Sequence, residues 1–121
     1  MNTVVIGASD NPERYSHKAL VLLREMGHVV FPVHPALEMI EGIPVYRSLD
    51  KIQDKIDTIT MYLSPAKQSA VEGEILAAGA RRVIFNPGAE NPCLAEKLRQ
   101  AGVEVLEACT LVLLRTGRYG V

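Results

Sequence analysis

The residues best suited to chemistry cluster near the start of the chain. Val4-Val5-Ile6 is a short apolar run, and Gly7-Ala8-Ser9-Asp10-Asn11-Pro12 follows it directly. A glycine at that point permits a tight turn and lets another group approach the backbone. The loop through Tyr15 is small and polar, and a helical pattern begins at Ser16. A strand, a glycine-led loop and then a helix leave free backbone N–H groups at the helix entry. Such groups face an anion, usually a phosphate. Ser9 and Ser16 add hydroxyls, and Arg14 adds a charge suited to phosphate.

Other polar positions narrow the chemistry. The dinucleotide fingerprint G-x-G-x-x-G needs three glycines, and Gly7 stands alone. An NAD site also wants an acidic residue at the end of the second strand for the ribose hydroxyls. Val33-His34-Pro35 supplies none, and Glu38 lies further on, which counts against NAD. His34 is either a ligand contact or a solvated loop histidine. Tyr62 and Ser64 end the third strand, and Ser64-Pro65 reads as an N-cap followed by proline at the first helical position. Asn86-Pro87-Gly88-Ala89-Glu90-Asn91 is a turn-forming loop after the fourth strand. Gly88 and Ala89 there leave room for backbone contact with a ligand, or simply make a connection. Cys93 falls in the first turn of a helix, where a thiolate is stabilised, but no base can be identified beside it. Cys93 and Cys109 read as structural thiols. His17, His28 and His34 lack metal-ligand spacing, so no metal is expected. No paired-carboxylate or Ser-His-Asp signature assigns a catalytic residue.

The elements that must position these residues alternate regularly. Ser16 to Met26 has apolar residues at helical spacing and stops at Gly27. His28 to Val33 is a second strand, with Pro32 arguing for an edge or a strand end. Residues 36–50 read as a long connection, with an extended piece at Ile43 to Tyr46. The spacing then predicts a short helix over Ser48 to Ile56, a strand over Thr58 to Leu63 and a helix from Pro65 to Ala78. Arg82 to Phe85 is the fourth strand. Cys93 to Ala101 is a helix, Val103 to Leu106 the fifth strand, and Thr110 to Thr116 a last helix or extended tail. This order implies a five-stranded, mostly parallel sheet with helices on both faces and right-handed crossovers. Ligands in such sheets bind at the carboxyl ends of the strands.

Composition sets outer bounds. With 121 residues the chain is expected to form a single domain over 1–121. A net charge of −1 gives no basic surplus for nucleic acid. No apolar window reaches membrane-span length, and the start carries no leader pattern. Two cysteines are too few for a disulfide framework, so a cytoplasmic protein with reduced thiols is expected.

The segments Ile6-Gly7-Ala8-Ser9, Asn11-Pro12 and Arg14-Tyr15-Ser16 resemble the opening of the small single-domain CoA-binding proteins. The resemblance continues through Gly27-His28-Val29-Val30-Phe31-Pro32-Val33-His34-Pro35 and Gly42-Ile43-Pro44-Val45-Tyr46-Arg47-Ser48-Leu49, and covers essentially the whole chain. These proteins are similar to the N-terminal CoA-binding domain of the succinyl-CoA synthetase alpha subunit. The resemblance implies a Rossmann-like three-layer fold and coenzyme A, free or acylated, as the small-molecule ligand. It implies that Gly7, Ala8, Ser9, Arg14 and Ser16 surround the diphosphate. It puts Val33, His34 and Pro35 near the nucleotide, with Tyr62, Ser64 and the 86–90 loop (Asn86, Pro87 and Gly88) on the other side. Two departures stand out. The family often reads Asn-Pro-Lys after the second strand, where this chain has His34-Pro35-Ala36. It often carries an aromatic-Leu-Gln segment before the fourth-strand glycine, where this chain has Ile84-Phe85-Asn86-Pro87. The synthetase's phosphorylated histidine belongs to a second domain and does not transfer.

The expectation is therefore a non-catalytic CoA or acyl-CoA binding module without nucleic-acid or membrane partners. The alternatives are an NAD-type nucleotide binder, an enzyme using Cys93, or an interaction subunit with a degenerate site. A homo-oligomer is neither required nor excluded. With Ala36 replacing a lysine, His34 is expected to supply charge, so that affinity strengthens as pH falls from about 8 to 6.

Overall fold

In the computed structural model, which describes residues 1–120, β1 (Asn2–Ile6) leads through the Gly7 loop into α1 (Tyr15–Glu25) and then β2 (Val29–Val33). A small antiparallel hairpin follows, β3 (Met39–Ile40) and β4 (Ile43–Pro44). After a 3-10 turn at Leu49–Lys51 come β5 (Thr58–Met61), α2 (Pro65–Gln68) and α3 (Glu72–Ala77). The chain closes with β6 (Arg82–Phe85), α4 (Pro92–Gln100), β7 (Glu104–Glu107) and α5 (Thr110–Arg115). The five long strands form one sheet in the order β2-β1-β5-β6-β7, and every neighbouring pair is parallel.

The strands are nearly continuous apolar runs because both faces are covered. Side chains alternate between faces. Val4 and Ile6 pack with Met61, Phe85, Ile75, Leu94 and Leu98 on the side of α3 and α4. Val5 and Ile84 pack with Leu20, Leu23 and Leu114 on the side of α1 and α5. The layers are thus helices, sheet, helices, as a Rossmann-like α/β fold requires.

Strand order locates the ligand edge. From β1 the chain crosses to β2 on one side, whereas β5, β6 and β7 extend the sheet on the other. The reversal falls between β1 and β5, and a crevice opens outside their carboxyl ends. β2 is an edge strand, as Pro32 suggests, because a proline N has no hydrogen to give a further neighbour.

Three local readings need correction. The helix expected over 48–56 is only the turn Leu49–Lys51, since Ile52 returns to extended backbone (φ −82, ψ 118) while its side chain stays in the core. The helix expected from Pro65 to Ala78 is broken into α2 and α3. Gln68 is fully buried and its amide donates to the carbonyls of Leu63 (2.8 Å) and Ala89 (2.7 Å). Val71 then steps out of helical geometry (φ −119, ψ 5). The connection over 36–50 contains the β3–β4 hairpin, whose turn holds Glu41 (φ 51) and Gly42 (φ 76) in left-handed backbone.

Candidate functional site

Gly7 ends β1 in left-handed backbone, φ +87. A Cβ there would lie 3.1 Å from both the Leu63 nitrogen and the Tyr62 carbonyl carbon. The close approach that requires glycine is therefore to the exit of β5. Tyr62 N donates to Ile6 O at 2.9 Å and completes the junction. Beyond Gly7 the loop is braced from within: Asn11 N donates to Ser9 Oγ and Glu13 N to Asn11 Oδ1, both at 3.0 Å. Arg14 holds the N-cap position of α1 in extended backbone (φ −78, ψ 141) and makes no side-chain capping bond. The first turn of α1 carries no acidic residue. Among the described residues, none accepts from the amides of Ala8, Ser9, Tyr15 or Ser16. Four unspent donors and the positive end of an 11-residue helix converge there, which is the arrangement that binds an anion.

His17 fixes this loop from outside. Its Nδ1 lies 2.8 Å from the Ser9 carbonyl and its Nε2 lies 2.9 Å from Glu41 Oε1. The ring thereby bridges the loop after β1 to the tip of the hairpin. The carbonyl of Glu41 also accepts from Arg24, which holds its left-handed backbone in place.

These elements enclose a cleft of about 950 Å³ at the carboxyl ends of β1, β2 and β5. Sites for small ligands run from about 300 to 1,000 Å³, so this one suits a ligand at the large end of that range. Gly7, Ala8, Ser9, Arg14 and Ser16 form one wall; Val33, His34 and Pro35 form the second; Tyr62, Ser64 and Pro87 form the third. Asn86 and Gly88 do not line it. Asn86 is buried, and its amide donates to Thr60 Oγ1 (2.8 Å) and Met61 O (3.0 Å) and accepts from Thr110 N (2.8 Å). It joins β5, β6 and α5, with both amide hydrogens spent and the side chain buried away from the cleft. Gly88 N donates to Glu90 Oε1 at 2.8 Å, closing the loop on itself. Cys93 is exposed at the start of α4 and Cys109 half-buried before α5, and neither lines the cleft.

Two sequence expectations change on this geometry. Ser64 occupies the N-cap of α2 but makes no capping bond, so its exposed hydroxyl is free toward the cleft. His34 Nδ1 accepts from the amides of Ala36 and Leu37, both at 3.0 Å. Its Nδ1 lone pair is therefore spent on the backbone, and Nε2 is the ring nitrogen left to a ligand. Tyr62 buries a hydroxyl that has no hydrogen-bond partner among the described residues. Burial first, and neighbouring Cys109 second, raise its pKa well above the ordinary phenol value. It stays protonated, its oxygen buried beside Thr60 and Thr110 and not exposed to the cleft.

Residue-by-residue reading missed Arg47, Ser48 and Leu49 from the segment after the hairpin, and Lys67, Val71 and Glu74 from α2, α3 and the turn joining them. Arg47 reaches the cleft because Tyr46 bridges Val33 in parallel, with Tyr46 N donating to Pro32 O (2.9 Å) and His34 N donating to Tyr46 O (3.0 Å). That pairing is long-range and leaves no local signal. Among the described residues there is no cluster of His, Cys, Asp or Glu that would hold a metal. No helix among the described residues is long and apolar enough to cross a membrane.

Residues 1–115 match the family model described as a CoA binding domain. A solved structure described only as an uncharacterized protein has a TM-score of 0.87 at 34% identity, over 97% of this chain and 96% of its own. The Bacillus subtilis (strain 168) protein YneT, itself uncharacterized, is 26% identical over 102 residues, covering 84% of this chain and 76% of its own length. A dinucleotide-forming acetyl-coenzyme A synthetase 1 of Ca. Korarchaeum cryptofilum, solved with phosphate and ADP, shares the fold at TM-score 0.73 and 23% identity, over 88% of this chain and 25% of its own.

Proposed function

The chain belongs to the CoA binding domain family, and from that premise we propose that it binds CoA or an acyl-CoA in the β1/β5 cleft as a non-catalytic module. The observation that carries this reading is the set of unspent amides at Ala8, Ser9, Tyr15 and Ser16 beside Arg14. These donors fit a diphosphate, whose charge they and the helix dipole offset. The Nε2 of His34 and the free hydroxyl of Ser64 would serve the nucleoside and pantetheine portions as hydrogen-bond partners. CoA, when bound, carries an acyl group as a thioester; the protein's part is to hold and orient the carrier. Neither cysteine lines the cleft, which favours binding over thiol catalysis. The NAD-type alternative has less support, since the end of β2 offers no carboxylate for a ribose. The degenerate-site alternative has less support because the anion donors are intact. Two free cysteines suit a reducing compartment, and a cytoplasmic location and a single-domain protein are part of this proposal.

A thermal-shift panel tests the reading. CoA and acetyl-CoA should raise the melting temperature more than ADP or NAD. At a hundredfold excess over Kd the gain is about 2.7 kcal/mol, or several degrees for a domain of this size. An equal or larger shift with NAD would transfer the site to the dinucleotide reading.

A further inference from the structure

The diphosphate donors occupy one wall of the cleft, and a second basic centre lies on another. Arg47 follows directly on the Tyr46 bridge to Val33, so its backbone is held beside His34 at the carboxyl end of β2. Its side chain is exposed, lines the cleft, and makes no hydrogen bond or ion pair among the described residues. Lys67, also on the lining, makes no side-chain bond among them either. The acidic side chain on the lining is Glu74, whose Oε1 faces the Asp50 amide at 3.4 Å. Arg14, Arg47 and Lys67 thus face the cleft against Glu74, in a chain whose net charge is −1. An arginine held by its backbone and left without a partner is available to an anion, and its planar fork matches phosphate geometry.

We propose that Arg47 forms a second phosphate subsite at the end of β2, which selects a nucleotide carrying a phosphate on its ribose in addition to its diphosphate. CoA has such a phosphate; dephospho-CoA and NAD do not. The proposal rests on the CoA reading of the cleft and names what distinguishes ligands within it.

The test is a set of calorimetric titrations of the wild type, Arg47→Met and Lys67→Met with CoA, dephospho-CoA, NADP and NAD. Arg47 is exposed, so Arg47→Met should melt as the wild type does. It should lose about tenfold in CoA affinity, the size of one charged hydrogen bond, with little change for dephospho-CoA. Lys67→Met should leave the CoA to dephospho-CoA ratio as it was. The wild-type preference for CoA should also shrink with added salt. If the wild type binds both CoA forms and Arg47→Met weakens both alike, or neither, the subsite is overturned while the CoA reading stands. A preference for NADP over NAD that exceeds the CoA preference and vanishes in Arg47→Met keeps the subsite and overturns the CoA reading. Failure of the wild type to bind any of the four overturns both.

Discussion

Gly7→Val is expected to abolish CoA binding and to cost the fold about 3 kcal/mol. Two effects add. The residue sits at φ +87, where a β-branched side chain is strained. Its Cβ would also press on the backbone of Tyr62 and Leu63 at 3.1 Å, and neither atom can swing aside. Relief would push the exits of β1 and β5 apart, and both carry walls of the cleft. Gly7→Ala provides the graded case, with the same φ and a smaller side chain. It should fold at low temperature, melt lower than the wild type by roughly 1–2 kcal/mol, and bind CoA at least tenfold more weakly. Melting curves and calorimetry on both variants read this directly. A Gly7→Ala protein with wild-type stability and affinity would show that the β1–β5 junction does not shape the site.

Arg82→Ala is expected to do the reverse: a large loss of stability with CoA affinity unchanged at a temperature where the variant is folded. Arg82 is 1% exposed at the start of β6. Its Nε donates to Thr58 Oγ1 at 3.0 Å and a terminal nitrogen donates to Tyr119 O at 2.8 Å. The guanidinium lies over the Tyr119 ring, 4.6 Å from its centroid, and the Tyr119 hydroxyl is 2.6 Å from Thr3 Oγ1. Arg82 and Tyr119 together therefore pin the segment after α5 to β1, β5 and β6. Truncation leaves a cavity and strands the Tyr119 carbonyl, at about 3 kcal/mol and roughly 10 °C in Tm. Arg82→Met should lose less, because it fills most of the space and removes a desolvated charge. The cluster stands at the amino ends of the strands, opposite the cleft, so binding should be spared. A melting temperature within a degree or two of the wild type for Arg82→Ala would remove Arg82 from this role.

The elements themselves were largely legible, because buried parallel strands are continuous apolar runs and glycines punctuate the helices. Gly27, Gly79 and Gly102 each stop an element at positive φ, as their placement suggests. Asn91 does cap α4, accepting from Leu94 N at 3.2 Å. Burial of polar side chains was not legible. Gln68, Arg82 and Asn86 look solvated in sequence, yet each is buried by bonds to residues over twenty positions away. The hairpin escaped notice because its turn is Glu41-Gly42; the strong signals for that turn are Asn-Gly and Asp-Gly. With the hairpin hidden, the Tyr46 bridge and Arg47's place in the cleft stayed hidden too. The loop from Gly7 to Ser16 was readable as a glycine-led connection from strand to helix because that pattern is local. Asn86 and Gly88 were expected at the site from their loop after the fourth strand and from the resemblance, and neither lines the cleft.

The central claim is that the loop after β1 and the end of β2 hold the ligand's phosphates. An amide chemical-shift titration with CoA tests it most directly, because the donors in question are backbone N–H groups. The largest shifts should fall on Ala8, Ser9, Tyr15 and Ser16, with His34, Arg47 and Ser48 next. Thr3, Asp57 and Arg82, at the opposite ends of the strands, should not move. Shifts centred on the first turn of α4 around Cys93, or on the amino ends of the strands, or no shifts at saturating CoA, would contradict the account.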